Sequence, residues 1–127
     1  MLNNKSILLP KDRNDGLRIC VMRSIHDEYE FDMWWPILAP SRRLVEDYAI
    51  DKLINWEEFT EKYSREQDNH KCRMMLDTLV ELIKSFEQTD LPVTLLCGED
   101  DYLRCHRKII ADECLKRYPA LVIENSK

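Results

Sequence analysis

Five residues, Val93-Thr94-Leu95-Leu96-Cys97, stand as an apolar run between Pro92 and Gly98. The run is too short to be a helix of its own and shows no polar alternation. It therefore reads as a strand covered on both faces, and strands of that kind sit in the middle of parallel sheets. Parallel neighbours need long crossovers, and the chain supplies helical patterns on either side to make them. Upstream, Cys72, Met75, Leu76, Leu79, Ile83 and Phe86 mark one face of a helix over residues 72–86, ended by Thr89-Asp90-Leu91-Pro92. The methionines of this segment read as core filling, the usual role of so adaptable a side chain. Downstream, a helix over about residues 102–118 is closed by Pro119, and Leu121-Val122-Ile123 forms a last short strand.

The N-terminal half is less regular. Ile7-Leu8-Leu9 form a short apolar run stopped by Pro10, and Asn14-Asp15-Gly16 supply turn chemistry for a hairpin-like start. Leu17 to Arg23 then reads as a central strand. Residues 24–40 mix acidic and aromatic signals and are broken by Pro36 and Pro40, giving a loop or a one-turn helix. Ser41 is an N-cap candidate with Leu44, Val45 and Tyr48 at helical spacing behind it. Trp56, Phe59 and Tyr63 mark one apolar stripe of a helix whose glutamates are its wet face. The expected architecture is an α/β fold: a small, mostly parallel sheet of about four short strands flanked by helices, as a single domain over residues 1–127. With 44% hydrophobic residues in a 127-residue chain, there is enough apolar surface for one core and little for a second.

Composition narrows the function classes. Lys and Arg number 19 against 24 Asp and Glu, a net charge of −5, so the overall field repels phosphate backbones and disfavours nucleic acid as a partner. Two glycines and five prolines exclude a collagen-like or low-complexity chain, and no apolar run is long enough to span a bilayer, so no membrane role is expected. The five cysteines, Cys20, Cys72, Cys97, Cys105 and Cys114, are odd in number, and three fall in apolar periodic segments. They read as reduced thiols in a cytoplasmic protein, and residues 1–5 lack the pattern of a secretory signal.

Chemistry concentrates in residues 97–107, where a strand end, a glycine and a helix start meet. On the helix that follows, Leu103, His106, Arg107, Ile110 and Cys114 share one face, so an imidazole and a guanidinium point inward. A buried guanidinium left unpaired costs several kcal/mol, so something anionic must meet Arg107. Glu99 would do so as an internal latch. Alternatively, an anionic ligand at the sheet edge would do so, aided by the N–H groups of the helix start. The basic cluster Arg104, Arg107 and Lys108 is offset by Glu99, Asp100 and Asp101. Zinc would need Cys97, Cys105 and His106, completed by His70 or Cys72. Adjacent helical residues diverge by about 100°, so Cys105 and His106 do not easily reach one ion unless the helix begins later than residue 102, and no metal is expected. Cys105, in a first helical turn beside arginines, has the setting of a reactive thiolate, opposed by the three acids and with His106 facing elsewhere. Cys97 reads as a small buried thiol, and His26 and His70 as surface residues.

The strand ending in Arg23, the string Leu38-Ala39-Pro40-Ser41, the aromatic acidic helix ending near Tyr63, the run Val93-Thr94-Leu95-Leu96-Cys97-Gly98-Glu99 and the triplet Cys105-His106-Arg107 together resemble the domain of unknown function 488 family. The match in order and spacing covers about residues 17–114. The resemblance implies a small α/β domain with Arg23, Cys97, Glu99, Cys105, His106 and Arg107 at the family's motif positions, and it implies no assigned activity. Where the family commonly has a proline-containing loop after the arginine, this chain reads Arg23-Ser24-Ile25-His26-Asp27-Glu28. If that loop shapes a pocket, ligand preference is expected to differ or be lost.

The expected site therefore lies at the C-terminal edge of the sheet. Arg23, Cys97 and Arg107 contact a small anionic ligand, His106 acts in acid–base chemistry, Glu99 orients Arg107 or His106, and Cys105 is a candidate nucleophile. The alternative is a non-catalytic interaction domain, with the triplet as an internal latch and Phe31, Met33, Trp34 and Trp35 as the partner surface.

Overall fold

The computed structural model of the chain describes residues 1–98 and 102–125. Strand β1 covers Leu2–Ser6, β2 Leu17–Cys20, β3 Met33–Trp34, β4 Val93–Cys97 and β5 Ile123–Asn125. They form one five-stranded sheet in the order β3-β2-β4-β1-β5, and all four pairings are parallel. The run that dominates the sequence is the central strand, with all five of its residues buried. The α/β architecture is as expected, with five strands in place of about four.

The two faces of the sheet are covered differently. Leu2, Ile19, Val21, Val93 and Leu95 point to one face and pack in the main core. Over them lie Leu76, Leu79, Val80 and Ile83 of α3 (His70–Glu87) and Ile110, Ala111 and Cys114 of α4 (His106–Arg117). The opposite face carries no such helix pair. Ile7, Cys20 and Leu96 pack there beneath Met22, Ile25, Tyr29 and Phe31 of the segment that follows β2. Beside them a buried polar group takes over: Lys5 Nζ donates to Asp15 at 2.9 and 3.0 Å, Arg18 pairs with the same carboxylate, and the Thr94 hydroxyl donates to the Asp15 carbonyl.

That polar face explains the first departure from expectation. Residues 7–9 are not the first strand, and there is no hairpin: β1 and β2 both pair in parallel with β4. The sequence Leu2-Asn3-Asn4-Lys5-Ser6 hides a fully buried strand because Lys5 finds a carboxylate inside. Gly16 has its turn role for a second reason besides φ +64°. A Cβ there would lie 1.9 Å from the Pro92 carbonyl oxygen, where the chain enters β2 beside β4.

The remaining elements follow their local chemistry. Ser41 caps α1 (Arg42–Val45) by accepting from the Leu44 amide at 3.2 Å, and the chain continues into a wide π turn over Glu46–Ile50. Asn55 and Glu58 form a reciprocal capping box at the start of α2 (Trp56–Gln67). Phe59 and Tyr63 of α2 and Leu44 of α1 form a second apolar cluster with Ile109 of α4. In α3, Met75 packs against the core while Met74 faces solvent, so only one of the two is core filling. The last strand is two residues later than expected, because Leu121 turns into the core and Val122 outward before pairing begins.

Candidate active site at the strand ends

The geometry of the site follows from topology. From β2 the chain leaves toward β3 at one edge, and from the adjacent β4 it leaves through α4 toward β5 at the other. Two parallel neighbours whose connections diverge leave a crevice beyond their carboxyl ends, the usual ligand position in open α/β sheets. A cavity of about 290 Å³ occupies that position. Cys97, Cys105, His106, Pro40 and Phe59 are its buried lining, and Arg23, Ser24, His26 and Arg104 are among its exposed lining.

The expected long helix over residues 102–118 does not form as one piece. A 3-10 turn over Tyr102–Arg104 comes first, Cys105 is extended at φ −131°, ψ 148°, and α4 begins at His106. This break changes the directions of Leu103 and Cys105. Leu103, expected inside, is 66% exposed, whereas His106, Arg107, Ile110 and Cys114 are buried as expected. Cys105 lies outside the helix, so the 100° divergence no longer separates it from His106, whose Nδ1 is 3.7 Å from the Cys105 sulfur.

His106 is fixed from its other side. Nε2 lies 2.7 Å from the carbonyl oxygen of Val21, just past β2. A carbonyl only accepts, so Nε2 carries the hydrogen and Nδ1 is the atom presented to sulfur. Below the ring, Trp56, Phe59 and Tyr63 stack along α2 at 5.2 and 6.0 Å, and Tyr63 meets His106 edge-on at 5.8 Å.

Three groups converge on the Cys105 sulfur. Cys97 donates its thiol hydrogen to it, Arg107 donates Nε–H at 3.3 Å, and His106 Nδ1 faces it. The hydrogen bond from Cys97 is the largest influence, and with the charges of His106 and Arg107 it overcomes burial and holds the Cys105 thiol well below the usual thiol range. Burial alone does the opposite elsewhere: the Cys114 thiol is pushed up to about 12, and that of Cys20 is also raised. Arg107 directs its Nε–H at the Cys105 sulfur, whose thiol is held toward the charged form. Arg107 itself is 2% exposed and stands behind that sulfur, whereas Arg104 of the same basic cluster lines the cavity. Lys108 is engaged with Asp112 at 2.7 Å on the surface. Glu99, with Asp100 and Asp101, lies outside the described residues.

Arg23 reaches the cavity because β2 and β4 are parallel neighbours, although β2 ends at Cys20 and Arg23 is three residues beyond it. Its Nε and Nη2 donate to the carbonyls of Pro40 and Ala39 at 3.0 and 2.8 Å, and the Tyr63 hydroxyl donates to the carbonyl of Leu38 at 2.6 Å. The Leu38-Ala39-Pro40 string thus presents three successive carbonyls that tie the arginine and α2 to the cavity wall. Burial raises the Tyr63 hydroxyl well above its usual range, so it remains a donor. Ser24 and His26 place the acidic, proline-free loop on the cavity wall, so the loop does shape the pocket. His26 is exposed as expected, yet it lines the cavity, a role that its polar neighbours in sequence concealed. Tyr63 and the Val21 carbonyl were also missed: an apolar helical stripe reads as core, and a backbone carbonyl leaves no sequence signal.

The ligand atoms of Cys97, Cys105 and His106 lie within 4.8 Å of one another and are all buried, a spacing that a soft divalent cation can bridge. This corrects the argument that Cys105 and His106 diverge. His70 is exposed on α3, and Cys72 has its sulfur at the Ile37 carbonyl, 3.6 Å away. Among the described residues, no helix is long and apolar enough to cross a membrane.

A family model described as the active DUF488-N3 subclade matches residues 2–118, a longer span than the motifs alone cover. No curated protein and no solved structure matches the chain.

Proposed function

Because the chain belongs to the DUF488 family, within its N3 subclade, and Arg23, Cys97, Cys105 and His106 of its motif residues line one cavity, we propose that it binds a small anionic ligand there and attacks it through Cys105. One observation carries this reading: the Cys105 sulfur, met by Cys97, His106 and Arg107, is part of the buried lining of a cavity whose exposed lining includes Arg23 and Arg104. In this reading the two arginines attract the ligand. Two of the five N–H donors of Arg23 are held by Pro40 and Ala39, which orients the rest of the fork. His106 Nδ1 takes the proton from Cys105 and returns it to a leaving group, so it serves as acid and base. Arg107 positions the sulfur and balances its charge. The net charge of −5 favours a small ligand over a nucleic acid, and five reduced cysteines suit a reducing, cytoplasmic setting.

The second reading, an interaction domain with an internal latch, has its support in Met33 and Trp34, which are 38% and 40% exposed on edge strand β3. Trp35 is buried in the main core and Phe31 packs beneath the other face of the sheet, so the apolar patch is half the size the sequence suggested.

Iodoacetamide labelling, read by peptide mass spectrometry, tests the proposal. Cys105 labels first among the five cysteines, and inorganic phosphate or sulfate slows the reaction in wild type but not in an Arg23→Met, Arg104→Met double variant. Labelling that is uniform, or led by another cysteine, removes the nucleophile. Anion protection that survives in the double variant removes the anion site.

A further inference from the structure

Cys97 has no task in the chemistry above beyond donating a hydrogen bond, yet its placement fits a second one. Its sulfur lies within 4.8 Å of the Cys105 sulfur and in hydrogen-bonding contact with it. Both line the same cavity, and the other three cysteines do not: Cys20 packs beneath the segment after β2, Cys72 lies in the first turn of α3, and Cys114 lies in the main core. Cys97 and Cys105 both stand at the margins of regular elements. Cys97 is the last residue of β4, followed by a glycine, and Cys105 is the extended residue before α4, with no side-chain capping bond to lose. Each side chain can turn toward the other without breaking a helix or the sheet ladder.

We propose that Cys97 is the resolving thiol of Cys105, so that oxidation of Cys105 by a hydroperoxide ends in a Cys97–Cys105 disulfide. The inference rests on the reading that Cys105 is the reactive sulfur. The Cys105 thiolate attacks the terminal oxygen of the hydroperoxide, an S–O bond forms and the O–O bond breaks. Sulfur loses two electrons to become a sulfenic acid, and the peroxide leaves as an alcohol, or as water from hydrogen peroxide, after taking a proton. The Cys97 thiol then loses its proton and attacks the Cys105 sulfur, an S–S bond forms, and the hydroxyl group leaves as water. An external dithiol supplies the two electrons that reopen the bridge. Resolution keeps the sulfur from reaching the sulfinic state, which thiols do not reverse.

The test uses the full chain, reduced, stripped of metal with a chelator and treated with one equivalent of hydrogen peroxide. The expected product has lost two hydrogens, contains a bridge between the peptides of Cys97 and Cys105, and returns to starting mass with dithiothreitol. In Cys97→Ser the bridge is lost, and labelling of Cys105 by dimedone, a sulfenic acid trap, rises from trace to near stoichiometric. Wild-type Cys105 that passes to sulfinic acid without a bridge, or a bridge to Cys20, Cys72 or Cys114, overturns the proposal. Mapping of the wild-type bridge needs no variant, so a poorly folding Cys97→Ser leaves the test intact. Cys105 that takes iodoacetamide but forms no bridge refutes this inference alone. Cys105 that takes neither reagent refutes the nucleophile as well.

Discussion

His106 donates its Nε2 hydrogen to the Val21 carbonyl at 2.7 Å, which turns Nδ1 of the same ring toward the Cys105 sulfur. The bond ties the first turn of α4 to the residue just past β2, the neighbour of the strand that ends in Cys97, so strand pairing sets the geometry of the sulfur's surroundings.

This arrangement predicts the pH profile of Cys105 alkylation. A thiol whose value is lowered is reactive down to that lowered value and loses reactivity as pH falls through it, so labelling of Cys105 persists well below the usual thiol value of 9.0. His106→Gln retains a donor for Val21 but presents no ring nitrogen to sulfur. Its midpoint moves up, and its rate at neutral pH falls by about tenfold or more, since one hydrogen bond to a charged group is worth about 1.5–3 kcal/mol. A midpoint unchanged in the variant would show that the ring has no part in holding the thiolate.

The buried carboxylate on the other face of the sheet gives a stability prediction. Burial disfavours the charge of Asp15, but hydrogen bonds from the Asp12 backbone, Lys5 and Arg18 outweigh it and lower the carboxyl below its ordinary value of 3.8. A carboxyl lowered in the folded state stabilises fully above the unfolded value and loses that contribution as pH falls through the folded one. Acid unfolding of wild type should therefore steepen below pH 3.8. Asp15→Asn, which leaves two buried cations without their anion, should cost about 3–5 kcal/mol in urea titrations at neutral pH and flatten the acid limb. Equal stability of the two proteins at neutral pH would show that the ion group contributes nothing.

This ion group also marks where the sequence stopped being legible. The central strand, the helices after Ser41 and Asn55, and the inward face of His106, Arg107, Ile110 and Cys114 could all be read, because burial in each is written as apolar periodicity or a cap. β1 could not, because Lys5 is buried by a carboxylate ten positions away. The site was legible as a set of residues but not as a geometry. One residue of extended backbone at Cys105 moved Leu103 outward and brought sulfur to imidazole, and no local propensity announces that break.

Gly16 offers a backbone test. Its φ of +64° and the 1.9 Å approach of a virtual Cβ to the Pro92 oxygen both exclude a side chain. Gly16→Ala should destabilise by more than about 1 kcal/mol, because the native conformation does not admit the new residue. Gly98 makes a control: among the described residues a Cβ there meets the flexible end of Met22 at 3.3 Å, so Gly98→Ala should be close to neutral. Thermal unfolding of the pair distinguishes them, and similar losses at both positions would contradict the account of the β2 entry.

The cluster of donors predicts a response to soft cations that does not depend on what the cavity binds. Zinc bound to sulfur at about 2.3 Å and to nitrogen at about 2.0–2.1 Å on a tetrahedron brings such donors to about 3.5 Å from each other. Cys105 sulfur and His106 Nδ1 are already 3.7 Å apart, and the Val21 carbonyl holds the ring in the tautomer that leaves Nδ1 free to coordinate. Added zinc should therefore slow alkylation of Cys105, and a chelator should restore it. Because the thiols must lose their protons to bind, protection should weaken as pH is lowered. Cys97→Ser removes one of the three donors and should raise the zinc concentration needed for half-protection by more than about tenfold. Protection that is equal in wild type and Cys97→Ser would mean that zinc acts elsewhere on the protein, and that the three side chains do not work as one set of ligands.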